Sequence, residues 1–323
     1  MPYNVFVTRH LTPQAEEKLN AYCRVEYWPE ETPPPHQTLL EKTRNVDGLI
    51  CLLTDPIDAE VINQAENLKV ISQVAAGVDN IDLQAAAARA IPVGHTPDLL
   101  TDATADLAFA LILAAARRLG EAIDYARSGR WQTWGLTTLL GEPVHGATLG
   151  IVGMGRIGQA VARRAKGFAM QVLFTRTSDL PELEQELGAN QVSLAQLVER
   201  SDIVSLHVPL NSSTQGLIGS EQLNSMKPHA ILVNTARGAV VDTDALVTAL
   251  KTGQIGYAAL DVTDPEPLPP THELYRLPNA IVLPHIGSAT RTAREQMSLL
   301  AVDNLIAGLE GKPLPKAAIQ PQS

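Results

Sequence analysis

The run Gly153-Met154-Gly155-Arg156-Ile157-Gly158 stands between an apolar stretch, Thr148–Val152, and a helix-like stretch, Gln159–Arg164. Strand, glycine turn and helix in that order narrow the possible folds more than any other feature of the chain. The spacing has physical reasons. Gly153 permits a tight turn, Gly155 lets backbone approach a pyrophosphate, and Gly158 lets the helix pack close to the strand. The helix start, with Arg156 and Ile157, offers unpaired N–H groups and the positive end of the helix dipole to a phosphate. A βα turn without a ligand could carry the same glycines; the strand before it and the helix after it favour a dinucleotide.

Gln171–Phe174, Asp202–Leu206, Ala230–Asn234, Ala258–Asp261 and Ala280–Leu283 are further strand candidates. With Thr148–Val152 and mostly helical connections, they predict a doubly wound parallel sheet of the Rossmann type, an α/β fold. Earlier in the chain, Val5–Val7, Gly48–Leu53 and Lys69–Val74 read as buried strands. Thr12–Asn20, His36–Asn45 and Asp58–Ala65 read as helices, making a second, smaller α/β unit. Thr101–Ser128 reads as one long helix, apolar nearly all round over Leu107–Ala114, so other structure must cover most of its sides. A homodimer interface is favoured over burial within one chain. Thr290–Leu309 reads as a last amphipathic helix, returning to the first unit because the six-stranded sheet is already complete. The expected domains are 1–98 with 288–323 for substrate, and 99–287 for the dinucleotide.

The stretch Phe174–Ser178 holds no carboxylate of the kind that bonds a ribose 2′-hydroxyl. It places Arg176 18 residues after Gly158, flanked by Thr175 and Thr177. A guanidinium beside hydroxyls suits a phosphate, which predicts NADP(H). NAD(H) is the alternative if Arg176 is only a solvated loop arginine. Three more residues follow successive strand candidates: Arg237 in Asn234–Gly238, Glu266 in the proline-flanked Asp261–Pro267, and His285 in Leu283–Ser288. Hydride transfer to a carbonyl needs an acid, a group that holds the acid in one tautomer, and a cation that orients the substrate. Singly these are a surface arginine, a solvated glutamate and a core histidine; together they fit that chemistry. His207 ends a strand at the same edge, with a packing role equally open. No two histidines have metal-ligand spacing and neither cysteine is near one, so no metal site is expected.

Across 323 residues, 45% hydrophobic and 19% charged residues describe an ordinary globular chain, and its formal charge is −10. An acidic surface argues against nucleic acid or membrane partners. Cys23 and Cys51 are too few for a disulfide scaffold and read as buried thiols in a reducing compartment. Met1–Val7 lacks the features of a secretory leader, and Leu107–Ala116 is too short to span a bilayer. A cytoplasmic protein is expected.

Ala76–Asp82, Gly153–Gly158, Asn234–Gly238, Leu260–Pro267 and Pro284–Ser288 together resemble the D-isomer-specific 2-hydroxyacid dehydrogenases over almost the whole chain. Thr96–Asp106, Ser128–Trp134, Phe174–Thr177 and Ser288–Thr290 are most similar to the glyoxylate and hydroxypyruvate reductases of that family. Asp106 departs from the family's usual Glu, and Ala76 stands where phosphite dehydrogenases carry Lys. The resemblance implies a flavodoxin-like substrate domain beside the Rossmann domain, with the active site in a cleft. It implies a small 2-oxo acid as substrate and NADPH as reductant. His285 would donate the proton, Glu266 would hold its other ring nitrogen, and Arg237 would grip the substrate. The backbone amides near Ala76 and Gly77 would take the carboxylate's other side, with Ser288 nearby. Asp261 would accept from the nicotinamide carboxamide, and Thr104, Val208, Pro209, Thr235 and Gly287 would line the cofactor. Trp134 would be a pocket wall reaching from a partner subunit, or an ordinary buried aromatic. The alternatives are an NAD-dependent dehydrogenase of another D-2-hydroxyacid and a nucleotide-sensing relative without activity, like the family's corepressors.

Overall fold

The computed structural model describes residues 2–176 and 185–319. The chain divides into two compact units, Met1–Leu100 with Ala289–Ser323, and Thr101–Ser288.

Six strands build the sheet of the first unit: β1 (Tyr3–Val7), β2 (Cys23–Tyr27), β3 (Gly48–Cys51), β4 (Val70–Gln73), β5 (Val93–Gly94) and, from the far end of the sequence, β13 (Ala317–Ile319). Their order is β13-β5-β4-β3-β1-β2, parallel except for β13 against β5. The five parallel strands follow the flavodoxin-like order. Every residue of β3 and β4 is buried, as expected for parallel strands covered on both faces, and such strands read as continuous apolar runs. β2, β5 and β13 escape the sequence reading for the opposite reason. β2 lies at an edge and mixes charged with apolar residues, β5 has two residues, and β13 is a short antiparallel edge. The helix Arg291–Leu309 packs on this sheet. Ser72 in β4 donates its hydroxyl to the Ala301 carbonyl at 2.7 Å, out of contact with water.

The second unit holds a seven-stranded, wholly parallel sheet, one strand more than the sequence indicates. Its members are β6 (Thr148–Val152), β7 (Gln171–Thr175), β8 (Ala189–Gln191), β9 (Ile203–Leu206), β10 (Ile231–Asn234), β11 (Tyr257–Leu260) and β12 (Ala280–Val282). The order β12-β11-β10-β9-β6-β7-β8 is the Rossmann order with a seventh strand appended beside β11. Parallel strands carry their following loops to one edge. The loops after β6, β9, β10, β11 and β12 therefore share the edge where such sheets bind ligands.

The expected single helix over 101–128 is two helices, Thr101–Ala116 and Leu119–Arg127. Arg118 breaks it in the left-handed conformation (φ +51°), with its guanidinium spanning Glu121 and the Leu140 carbonyl. The apolar first helix is covered inside its own unit: Leu111, Ile112 and Ala115 belong to the core, and Phe109 packs against Phe168 with ring centroids 5.0 Å apart. Asp106 pairs with Arg164 on the helix Arg156–Lys166. The uncovered apolar surface lies later in the chain. Leu119–Arg127 buries no residue, and Trp131, Trp134, Leu136 and Leu140 are 67%, 77%, 80% and 63% exposed. Among the described residues, no helix is long and apolar enough to cross a membrane.

Candidate active site

Gly153 closes β6 at φ +97°, where a Cβ would stand 2.8 Å from the His207 carbonyl group and from Val208 Cγ1. A Cβ on Gly158 would come within 2.3 Å of the Gly153 oxygen, so the helix can start this close to the strand only without one. Gly155 differs: nothing lies within 4 Å of its missing Cβ. It is the N-cap of Arg156–Lys166 and has no side chain to bond the first-turn amides, which leaves them for a ligand at the positive end of the helix. The Arg176 guanidinium donates to the Met154 carbonyl at 3.1 Å, placing it at the rim of this turn. Thr177 lies outside the described residues.

Nearby groups of the second unit suit a dinucleotide. The Thr235 hydroxyl, just past β10, is buried with no hydrogen-bond partner among the described residues. A bound polar group would satisfy it. Val208 adjoins the glycine turn, and Pro209 is exposed in the same loop. Thr104 donates to the Gly287 carbonyl at 3.3 Å. His207 bonds Ser205 through Nε2 at 2.8 Å, and burial pushes its imidazole down to about 4.

Arg237, Glu266 and His285 emerge from β10, β11 and β12, which are neighbours in the sheet. Strands sit about 4.8 Å apart, so the three loops start within roughly 10 Å of one another. His285 Nδ1 lies 2.6 Å from Glu266 Oε1. A carboxylate can only accept, so the bond places the hydrogen on Nδ1 and turns Nε2 outward. The ring is aimed by its backbone. His285 adopts φ +53°, its N–H donates to the Asp261 carbonyl at 2.9 Å, and the Asp261 carboxylate takes the N–H groups of Ile286 and Gly287 at 2.7 Å each. Burial raises the Asp261 pKa above the ordinary carboxylate value, against the pull of the two amides and His285. Asp261 thus anchors the His285 turn, in addition to the carboxamide contact that the resemblance implies.

The arginine loop is built by Asn234, which closes a turn by donating to the Arg237 carbonyl at 2.9 Å and accepting from Ala236 N–H at 3.0 Å. Half-buried Arg237 donates to the Ala236 carbonyl at 2.8 Å. At Gly238, a Cβ would fall 1.9 Å from the carbonyl carbon of Thr263. The arginine turn therefore rests on the loop that carries Glu266, whose Oε2 accepts from Thr263 N–H at 3.3 Å.

In the first unit, half-buried Ala76 and Gly77 follow β4, and among the described residues no protein group accepts from their N–H groups. Ser288 is half-buried at the end of the second unit, and exposed Trp134 is not an ordinary buried aromatic. Among the described residues no group of His, Cys, Asp and Glu could hold a metal ion. Sequence reasoning passed over Gln73 and His95, which bond the carbonyls of Gly77 and Ala76. A lone histidine after a two-residue strand carries no pattern to find.

Residues 109–287 match the family described as D-isomer specific 2-hydroxyacid dehydrogenase, NAD binding domain. A glyoxylate reductase of Thermococcus litoralis is 49% identical over 97% of this chain and 95% of its own. The crystal structure of the TT0316 protein from Thermus thermophilus superposes with a TM-score of 0.92 at 50% identity, covering 98% of this chain and all of that one. An NADPH-dependent glyoxylate/hydroxypyruvate reductase from Sinorhizobium meliloti, solved with NADP and malonate, superposes with a TM-score of 0.86 at 31% identity, covering 99% and 98%.

The contacts around the glycines separate two effects. Gly238→Ala forces the Thr263 backbone away and is expected to cost about 1–3 kcal/mol or more in urea unfolding. Gly155→Ala meets open space and is expected to change stability by under about 0.5 kcal/mol while weakening dinucleotide binding. Equal unfolding midpoints for the two variants would contradict this packing.

Proposed function

The chain belongs to the D-isomer-specific 2-hydroxyacid dehydrogenase family, and from that membership we propose that it reduces small 2-oxo acids, glyoxylate or hydroxypyruvate first, with NADPH. The observation that carries the reading is the 2.6 Å His285–Glu266 bond at the strand ends beside Arg237. When bound, the nicotinamide supplies the hydride that adds to the carbonyl carbon. In its doubly protonated form, His285 gives the Nε2 proton to the carbonyl oxygen as it becomes an alkoxide, and keeps the hydrogen on Nδ1. Glu266 holds Nδ1, so the proton leaves from one nitrogen. Arg237 takes the substrate carboxylate and carbonyl oxygen, and its planar fork fixes their orientation. The amides of Ala76 and Gly77 bond the carboxylate, with Ser288 and Trp134 as further substrate contacts. Gly153, Gly155, Arg156, Ile157 and Gly158 hold the pyrophosphate. Thr104, Val208, Pro209, Thr235, Asp261 and Gly287 line the nicotinamide end. The product is glycolate, or the D-hydroxyacid where a stereocentre forms.

Arg176 at the rim of the glycine turn supports NADPH over NADH, and the Sinorhizobium meliloti relative holds NADP. We further propose a homodimer built on residues 119–140, whose tryptophans and leucines stand mostly exposed, as apolar side chains at a protein–protein contact do in the isolated subunit.

With NADPH and glyoxylate, His285→Ala is expected to lower kcat by about 10²–10⁴ while leaving the NADPH Kd unchanged. Equal turnover by both proteins, or none by either, ends the mechanism. Arg176→Ala is expected to lower the NADPH-to-NADH ratio of kcat/KM by roughly ten-fold or more, the worth of one charged hydrogen bond; an unaltered ratio removes the phosphate role. In sedimentation velocity, Leu136→Asp is expected to shift a dimer toward monomer, and a monomeric parent protein refutes the interface.

A further inference from the structure

We propose that His95 is a positioning residue for the anionic end of the substrate, holding the loop after β4 so that it presents a row of free N–H groups. The proposal rests on the reading of the protein as a 2-oxo acid reductase.

Three consecutive carbonyls of this loop are tied down. Ala75 O accepts from Thr96 N–H at 2.8 Å, Ala76 O from His95 Nδ1 at 2.8 Å, and Gly77 O from Gln73 Nε2 at 3.3 Å. A carbonyl can only accept, so His95 carries its hydrogen on Nδ1. These peptide bonds are trans. In a trans peptide the C=O and the next N–H point in opposite directions. Fixing three carbonyls therefore turns the N–H groups of Ala76, Gly77 and Val78 away from Thr96, His95 and Gln73. Among the described residues, none of the three has a protein acceptor. Successive unpaired N–H groups form a concave site for an anion such as a carboxylate.

The braces are themselves rigid. The Gln73 amide is held at both ends: Oε1 accepts from the Cys51 thiol at 3.0 Å and Nε2 donates to Asn80 Oδ1 at 2.6 Å. Burial, aided by Asp55, pushes the Cys51 thiol well above its ordinary pKa and keeps it a donor. The His95 backbone is clamped on both sides. Its N–H donates to Lys316 O at 3.1 Å, and its carbonyl accepts from Asn304 Nδ2 at 3.0 Å. Fully buried Asn304 in turn accepts from Lys316 N–H at 2.9 Å. With its main chain so fixed, the His95 ring is held on the Ala76 carbonyl, and removing the ring frees the Ala76–Gly77 peptide to rotate. His95 touches no reacting atom; it sets which way the Gly77 N–H points.

The test uses NADPH-saturated protein, His95→Ala, and His95→Asn, whose Nδ2 occupies the place of the imidazole Nδ1. In His95→Ala the glyoxylate KM is expected to rise roughly ten-fold, with kcat within about twofold and the NADPH KM unchanged, and His95→Asn is expected to return the KM to within about threefold of the parent. Calorimetric titration with oxalate, a carboxylate that cannot be reduced, is expected to show the same loss and recovery. An unchanged KM and oxalate affinity in His95→Ala, or equal loss in both variants, overturns the role of His95. Oxalate binding lost in His95→Ala and recovered in His95→Asn, in a protein that never reduces glyoxylate, sustains His95 and overturns the functional reading. No oxalate binding by the parent protein overturns both.

Discussion

One buried carboxylate governs the edge of the sheet where His285, Glu266 and Arg237 emerge. Asp261 ends β11, and its main-chain and side-chain oxygens together hold the N–H groups of residues 285, 286 and 287. That grip keeps a histidine in the left-handed region, where a residue with a Cβ costs about 1–3 kcal/mol. What the strain obtains is direction: His285 points Nδ1 at Glu266 and leaves Nε2 facing outward. Glu266 and Arg237 depend on the same corner, because the arginine turn lies against the Thr263 backbone with only a glycine hydrogen between them. The three side chains proposed for catalysis are thus positioned by backbone packed on backbone, the stiffest support a loop can have.

The two units solve different problems with the same α/β vocabulary. The second offers helix amides and a buried hydroxyl without a partner among the described residues, features that a bound dinucleotide would complete. The first ties down carbonyls with buried polar side chains, so that the opposite ends of the same peptides face outward unpaired. In both, oriented peptide dipoles would add to the two cations Arg176 and Arg237 in drawing negative charge. That suits a chain with a formal charge of −10.

How much of this was legible in the sequence follows from the range of each signal. The glycine turn, the runs Gly48–Cys51 and Val70–Gln73 and the six principal strands of the second unit were readable, since a short continuous apolar run between turn signals is a local pattern. β2 and β8 were not, because an edge strand buries little and alternates poorly. The break at Arg118 was hidden inside an unbroken helical composition; it is set by Glu121 and by Leu140, twenty-two residues away. Arg237, Glu266 and His285 could be singled out because each follows a recognisable strand. His95 could not: its meaning lies in one bond to Ala76, and nothing in the intervening residues announces that bond.

The helix Arg291–Leu309 and strand β13 belong to the first unit but are made after the whole of the second. During synthesis, residues 101–288 can collapse into a finished domain while the first hundred residues still lack a covering for one face of their sheet. β4 must wait for Ala301, and the His95 segment for Asn304, before their polar groups are satisfied. The ribosome therefore delivers the nucleotide-binding half first, and an interrupted translation product would carry a completed Rossmann core beside an uncovered, aggregation-prone sheet.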